Sequence, residues 1–217
     1  MIKAPAFQEY YQRYKTVFLI LLLIIFYSVG VVGLSSDSRE YFLGLSFMNL
    51  GISFAIILLA RVQHDSKFYL FVIGGFFIGM VAEWIGIHTS LLFGEYTYGE
   101  NLGSKWYGVP IIIGINWVML TMISASILKT TKLHWALKAL GGAILMLVLD
   151  LLLEPVAIVS DYWVWEEEIP TSNFIDWFII AFFLQLWYFR FNLAEPNKVA
   201  IALYIIQIVF FTILNLV

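Results

Sequence analysis

The sequence predicts an all-α, polytopic membrane protein, a bundle of about seven transmembrane helices that forms one domain over residues 1–217. Three observations support this prediction. The chain is 62% hydrophobic and only 12% charged, whereas soluble domains average nearer half apolar and a quarter charged. Its apolar residues form seven runs close to the roughly 20 residues that cross a bilayer. Its Lys and Arg residues lie mainly between alternate runs.

The seven apolar runs predict helices because their hydrophobic residues are continuous rather than alternating, and because an open sheet edge cannot face lipid. Residues 1–15 are polar, lack the pattern of a cleaved signal peptide and are predicted to form a cytoplasmic tail. The predicted spans, in chain order, are residues 16–34, 41–60, 68–88, 109–128, 135–159, 174–189 and 199–217.

The distribution of positive charge predicts the orientation. With seven spans, ten of the twelve Lys and Arg residues lie on one side, in the tail and in segments 61–67, 129–138 and 190–198. The opposite side holds only Arg39 and Lys105. Because cytoplasmic segments carry the excess of Lys and Arg, the N-terminus is predicted to be cytoplasmic, in a bacterial-type cytoplasmic (inner) membrane.

Composition also excludes several kinds of chemistry. A net charge of −3 does not suit a nucleic-acid partner. The absence of Cys excludes disulfides, thiolate nucleophiles and Cys-held metal sites. The three histidines are too scattered to form a multi-His di-iron centre, and Lys198 lies at the edge of the last span, where it cannot hold a retinal Schiff base. No metal and no other cofactor is therefore expected.

Two connecting segments, residues 89–108 and 160–173, are longer than the others, and both fall on the outer side. Long ordered loops in a compact protein are usually functional. Both are dense in Trp, Tyr, Gly and carboxylates. Such residues either form an aromatic belt at the membrane interface or wall an apolar pocket with polar-tipped rings. The density favours the pocket.

Three carboxylates lie deep inside predicted spans, where a charge costs on the order of 3 kcal/mol and should face the bundle interior. Glu83 is fifteen residues into the third span, roughly 22 Å from its cytoplasmic end. Asp150 and Glu154 reach similar depth in the fifth span and, being four residues apart, share one helix face. Neighbouring buried acids can provide a protonated acid beside an ionised base. Alternatively, the acids only join helices by hydrogen bonds, and Glu154 caps its helix at the interface.

Motifs in two parts of the chain match those of a known family. The first part contains Ala82–Thr89, Phe93–Tyr98, Leu102–Gly103, Gly108–Pro110 and Asn116–Trp117. The second part contains Asp150, Glu154–Pro155, Tyr162–Trp165, Ile169–Pro170, Asn173–Phe174 and Trp177. With these motifs the sequence resembles the CruF-type carotenoid 1,2-hydratases over residues 70–190. It departs from them at Ser90 and Asp176, where Gly is usual, and at residues 166–168, where three Glu replace a Gly- and Tyr-rich stretch.

The resemblance implies addition of water to the terminal C1,2 double bond of an acyclic carotenoid end group, which gives a tertiary 1-hydroxy carotenoid. In that reaction an acid protonates C2, water adds to the cation at C1, and a carboxylate takes the water's proton. Glu83 and Asp150 are the expected acid/base pair and Glu154 is their partner; which one protonates carbon stays open. Aromatic faces stabilise a cation. The expected substrate-binding residues are Trp84, Thr89, Phe93, Tyr96, Tyr98, Trp117, Trp163, Trp165 and Asn173.

Two other functions fit parts of the pattern. A lycopene cyclase begins with the same protonation but captures the cation with an internal alkene instead of water. A carotenoid-binding protein or proton-coupled transporter would also bury acids, although no paired broken helices suggest a transporter repeat. The expected partners are a hydrophobic carotenoid, water, the lipid bilayer and other carotenoid-biosynthesis enzymes.

Overall fold

The computed structural model of the protein describes residues 4–217, with side chains described from residue 12 onward. The predicted tail is described only in part, and Lys3, which was counted in the charge pattern, lies outside the described residues. The helices are α1 Ala4–Leu34, α2 Arg39–Leu43, α3 Ser46–Ala60, α4 Ser66–Thr89, α5 Ile111–Lys129, α6 Trp135–Val159, α7 Thr171–Arg190 and α8 Lys198–Leu214. The strands are β1 Tyr96–Tyr98, β2 Lys105–Trp106, β3 Val109–Pro110 and β4 Trp163–Trp165.

The architecture confirms the predicted all-α membrane bundle. Among the described residues, six helical segments are long and apolar enough to cross a membrane, with α2 and α3 together forming one of them. The shorter α8 is also apolar, over 17 residues. Several boundaries differ from the prediction. Helix α1 already begins at Ala4, so most of the predicted tail is helical, and α5 begins at Ile111 because Val109–Pro110 pairs as β3. Helix α7 begins at Thr171, before the predicted start at residue 174, and α8 ends at Leu214.

Local signals explain where the helices begin and end. The Asp65 carboxylate accepts a hydrogen bond from the backbone N–H of Phe68 and so caps the start of α4. The Asn197 side chain accepts from two N–H groups at the start of α8 in the same way. At the other end of α4, Ser90 adopts a left-handed conformation that stops the helix and starts the long outer loop.

Helix α5 forms the centre of the bundle. It is the most buried of the six spans and contacts α3, α4, α6, α7 and α8. Glycine permits its close approach to α4, since a Cβ at Gly79 would lie 2.5 Å from the Trp117 ring. The Trp117 indole in turn stacks on Trp177 of α7, with ring centroids 3.8 Å apart. This packing fixes three helices around one buried aromatic pair.

The two long outer loops are joined to each other by a small antiparallel sheet. Strand β1 of the first loop pairs with β4 of the second, with Tyr96 opposite Trp165 and Tyr98 opposite Trp163. Because side chains alternate along a strand, these four aromatic residues share one face of the sheet. The opposite face carries Thr97 and Val164, both exposed. The sheet therefore places four aromatic side chains over one end of the bundle.

Candidate active site

Three buried carboxylates lie in the half of the bundle that the β1–β4 sheet covers. Glu83 of α4 is 3% exposed, and Asp150 and Glu154 of α6 are 1% and 2% exposed. Helix α6 continues through Pro155, so both of its acids remain on a helical backbone four residues apart. The three carboxylates interact electrostatically with one another. Their hydrogen-bond environments differ sharply.

Glu83 accepts three hydrogen bonds from uncharged donors. The hydroxyls of Tyr96 and Tyr98 donate to its Oε2 at 2.6 and 2.7 Å. The Nε1 of Trp117 donates to its Oε1 at 3.0 Å. Gly86, one turn further along α4, leaves room for this arrangement, because a Cβ there would lie 2.8 Å from the Tyr96 hydroxyl. Three donors and no acceptor among these contacts match an ionised carboxylate.

Glu154 has a second set of three donors, all from the second loop and the start of α7. The Nε1 atoms of Trp163 and Trp165 donate to its Oε2 at 3.1 and 3.2 Å. The Nδ2 of Asn173 donates to its Oε1 at 3.0 Å. Glu154 is therefore a buried, fully bonded acceptor. All three bonds come from side chains of β4 and α7, and none comes from the backbone of its own helix.

Asp150 differs from both glutamates. Its two carboxylate oxygens are buried, and neither has a hydrogen-bond partner among the described residues. Burying an ionised carboxylate without donors is far more costly than burying a neutral acid. Asp150 therefore suits the protonated form, beside two glutamates whose donors suit the ionised form. This contrast between neighbouring acids is typical of acid–base sites.

The three acids line two adjoining cavities. The smaller one, about 20 Å³, is lined by Glu83 and Glu154. The larger one, about 230 Å³, is lined by Asp150. Five residues line both cavities and form the wall between them: Ile113, Asn116, Leu153, Trp163 and Trp177. Asp150 and the two glutamates therefore line two neighbouring, largely apolar cavities that share one wall.

The loop tyrosines remain hydrogen-bond donors to Glu83 because their neutral form is favoured. Burial raises the pKa of Tyr98 well above its ordinary value of 10.0, and the negative charge of Glu83 raises it further. The pKa of Tyr96 is raised by the same two causes in the same order. Both hydroxyls therefore keep their protons over the range in which enzymes operate.

The structure brings most of the predicted site residues together. Phe93, Tyr96, Tyr98, Trp163, Trp165 and Asn173 line the smaller cavity with the two glutamates. Trp117 does not line this cavity but donates a hydrogen bond to Glu83, which does.

Trp84 and Thr89 lie elsewhere. Trp84 is 42% exposed and stacks on His88, and the exposed Thr89 donates to the Ile85 carbonyl at the end of α4. Neither lines the two cavities, because both point away from the side of α4 that carries Glu83. Their binding of substrate stays a prediction.

Several residues of the cavities were not predicted as site residues. Asn116 and Trp177 belong to the family motifs, and their position in those motifs could have identified them. Asn49 of α3 and Gln207 of α8 line the larger cavity but lie outside those motifs. Asp176, which replaces the usual Gly, accepts a bond from the backbone N–H of Phe93 at 2.8 Å and so holds the first loop against α7.

Among the residues that the structure describes, no group of three or more His, Cys, Asp or Glu could hold a metal ion. Independence from a metal or other cofactor stays a prediction.

Comparison with known proteins gives two matches. A family model described as "Carotenoid biosynthesis protein" matches residues 43–217. A bisanhydrobacterioruberin hydratase from Haloarcula japonica is 23% identical over 111 residues, which cover 45% of this chain and 36% of that protein. The match thus spans about a third of the relative's length. No solved structure matches the chain.

Proposed function

Because the chain belongs to the carotenoid biosynthesis protein family, we propose that it is a cofactor-independent carotenoid 1,2-hydratase. It adds water to the terminal C1,2 double bond of an acyclic carotenoid end group and forms a tertiary 1-hydroxy carotenoid. It acts in a bacterial-type cytoplasmic membrane, beside the enzymes that supply its substrate. The hydratase name of the distant relative supports this choice within the family.

One observation carries the proposal: three buried acids stand in two contrasting environments. Asp150 has no donor bonded to either oxygen, whereas Glu83 and Glu154 each accept three bonds. Hydration of an alkene needs a proton donor and a proton acceptor in the same site. We therefore assign Asp150 as the acid and a glutamate as the base.

The proposed reaction balances without an oxidant or reductant. The π electrons of the C1,2 bond take the proton of Asp150 and form a C2–H bond, which leaves a tertiary cation at C1. A water lone pair forms the C1–O bond, and the resulting oxonium passes its extra proton to Glu83 or Glu154. Return of that proton to Asp150 completes the cycle. The net change is the addition of one water molecule.

The surrounding aromatic residues suit a cationic intermediate. Trp163 and Trp177 line the larger cavity together with Asp150. Indole rings stabilise a cation through the negative face of their π system. The Trp163 N–H donates to Glu154, and the hydroxyls of Tyr96 and Tyr98 donate to Glu83. The indole rings beside Asp150 therefore suit a cation formed at C1.

The larger cavity also supports a route by which the end group of a long substrate reaches Asp150. Its volume of about 230 Å³ equals roughly eight water molecules at about 30 Å³ each, far too little for a C40 chain. Phe26 and Val29 of α1 and Met48 of α3 line this cavity and are also exposed on the bundle surface. We propose that the end group enters here while the rest of the chain stays in the lipid.

The test is incubation of membranes containing the protein with lycopene, followed by chromatography and mass measurement of the product. Hydration predicts a more polar product that is heavier by one water molecule. A product of unchanged mass would identify a cyclase or isomerase and overturn the proposal. Recovery of unaltered lycopene, with the protein abundant and other acyclic carotenoids also unaltered, would favour a binding protein or a transporter.

A further inference from the structure

A pair of amide side chains lies on the wall of the larger cavity, on helices that carry none of the three acids. They are Asn49 of α3 and Gln207 of α8. The Oδ1 of Asn49 and the Oε1 of Gln207 are buried, and neither has a hydrogen-bond partner among the described residues. Gln207 as a whole is 2% exposed. Buried amide oxygens are normally bonded, so this pair calls for a ligand that donates hydrogen bonds.

The neighbouring polar groups are already engaged with each other. The Nε2 of Gln207 donates to the Tyr27 hydroxyl at 3.1 Å, which orients the amide and leaves its oxygen free. Tyr27 also contacts Ser53 through a 3.4 Å bond. At the outer end of the cavity, the hydroxyls of Ser46 and Tyr162 bond to one another at 2.6 Å. Among the described residues, these contacts leave the two amide oxygens as unpartnered acceptors of this cavity, together with the Asp150 carboxyl group.

We propose that Asn49 and Gln207 form the binding site of the water molecule that hydrates the substrate. This inference rests on the proposed hydration and adds the origin of its nucleophile. The amide oxygens accept the hydrogens of a water molecule, so its lone pairs are directed away from them and toward a cation at C1. Because a neutral amide is too weak a base to keep the proton, the oxonium formed on attack releases it to a glutamate.

The site decides the fate of the cation. With water held next to C1, a C–O bond forms and the product is an alcohol. Without it, the cation loses a proton from a neighbouring carbon to a carboxylate and becomes an isomerised alkene. Alternatively, an internal alkene captures the cation at C1 and closes a ring, and the new cation on the ring then loses a proton to a carboxylate. Each route regenerates the acid. Asn49 and Gln207 therefore determine the specificity for hydration, while Asp150 determines the rate of protonation.

The experiment measures the fraction of converted lycopene that has gained water. Membranes with the wild-type protein are compared with Gln207→Leu and Asn49→Leu, which keep similar bulk without an acceptor. Losing one orienting hydrogen bond should lower the hydrated fraction about three- to tenfold. Isomerised or cyclised products should rise correspondingly. Gln207→Glu keeps a carbonyl oxygen and should retain most of the hydration.

Gln185→Leu is the matched control. Gln185 is equally buried and also has an unpartnered Oε1, but it lines neither cavity. Its variant should leave the hydrated fraction unchanged, even where less protein accumulates. Suppose that the wild type hydrates lycopene and that the hydrated fraction stays at the wild-type value in both Gln207→Leu and Asn49→Leu. That result would overturn the water site and leave the proposed function standing. Absence of hydration in the wild type would instead overturn the proposed function.

The same variants also test whether the amides bind water or a hydroxyl group of the carotenoid, since both donate hydrogen bonds. If the amides bind a substrate hydroxyl, the variants would change the preference between lycopene and its 1-hydroxy derivative. The hydrated fraction of each substrate would then be the same in the variants as in the wild type. That result would overturn the assignment to water.

Discussion

Removing one tyrosine hydroxyl from Glu83 tests how the site holds its base. Tyr96→Phe removes the 2.6 Å bond to Oε2 and leaves the bonds from Tyr98 and Trp117. The aromatic ring remains, so its contact with Trp165, at 5.0 Å between centroids, is kept. The perturbation is therefore confined to one donor of three.

The expected loss follows from the charge of the acceptor. A hydrogen bond to a charged group is worth about 1.5–3 kcal/mol, and each 1.36 kcal/mol changes a rate about tenfold. If Glu83 must be ionised to accept the proton of the attacking water, Tyr96→Phe should slow hydration about 10- to 150-fold. Tyr98→Phe should have a similar effect, because its bond to the same oxygen is 2.7 Å long.

The assay is the initial rate of 1-hydroxy carotenoid formation, normalised to the amount of protein in the membrane. Tyr107→Phe is the control, since Tyr107 is an exposed tyrosine of the same loop; its rate should equal that of the wild type. Wild-type rates in both Tyr96→Phe and Tyr98→Phe would refute the reasoning. The bonds to Glu83 would then serve packing alone.

Three further predictions concern access, pH and topology. Val29→Trp should block the proposed entrance and lower the turnover of lycopene at least about tenfold. Val32→Trp, on the exposed surface of α1 outside the cavity, should leave the turnover unchanged. Since the pKa of Tyr98 is raised above 10.0 by burial and then by Glu83, its stabilising contribution is complete below pH 10.0 and is lost as pH rises beyond it. The Tm in detergent should therefore fall above that pH, less steeply in Tyr98→Phe, and equal slopes would contradict this. Glu100→Cys should react with an impermeant maleimide in intact cells and Lys132→Cys should not; the reverse pattern would invert the topology.

The bundle and its acids were predictable from sequence because both leave strong local signals. Continuous apolar runs have few stable forms in lipid, and an acid such as Glu83 within such a run must face the interior. The exact start of α1 was not predictable in the same way. The helix begins at Ala4, within a polar stretch, and the change from polar to apolar residues comes only near Thr16. Hydropathy therefore marks the start of the apolar run and not the start of the helix.

The pairing of the two outer loops could not be read from the sequence. Tyr96 and Trp165 lie opposite each other although a long stretch of chain, including two spans, separates them. Three-residue strands have no detectable period of their own. The sequence therefore predicted the aromatic residues of the site without predicting which glutamate each would contact.

Uncharged polar residues were the hardest to predict. Asn49 and Gln207 lie in apolar runs, where an amide is tolerated far more easily than a charge. Their importance emerges only when the fold places both on the wall of one cavity with Asp150. Trp84 was expected to bind substrate because its aromatic face suits a cation, and adjacent helical positions such as 83 and 84 point about 100° apart. Its ring lies on the exposed face of α4.

The most direct test of the central claim uses ¹⁸O-labelled water with washed membranes, lycopene and a chelator under anaerobic conditions. The wild-type protein should form a 1-hydroxy product that carries the ¹⁸O label, with neither O₂ nor added cofactor. Asp150→Asn and Glu83→Gln should lose about 10²-fold or more of this product at normal membrane abundance, because neither amide can transfer the proton. An unlabelled hydroxyl group whose oxygen comes from O₂, or wild-type conversion by both amide variants, would contradict acid–base hydration by these carboxylates.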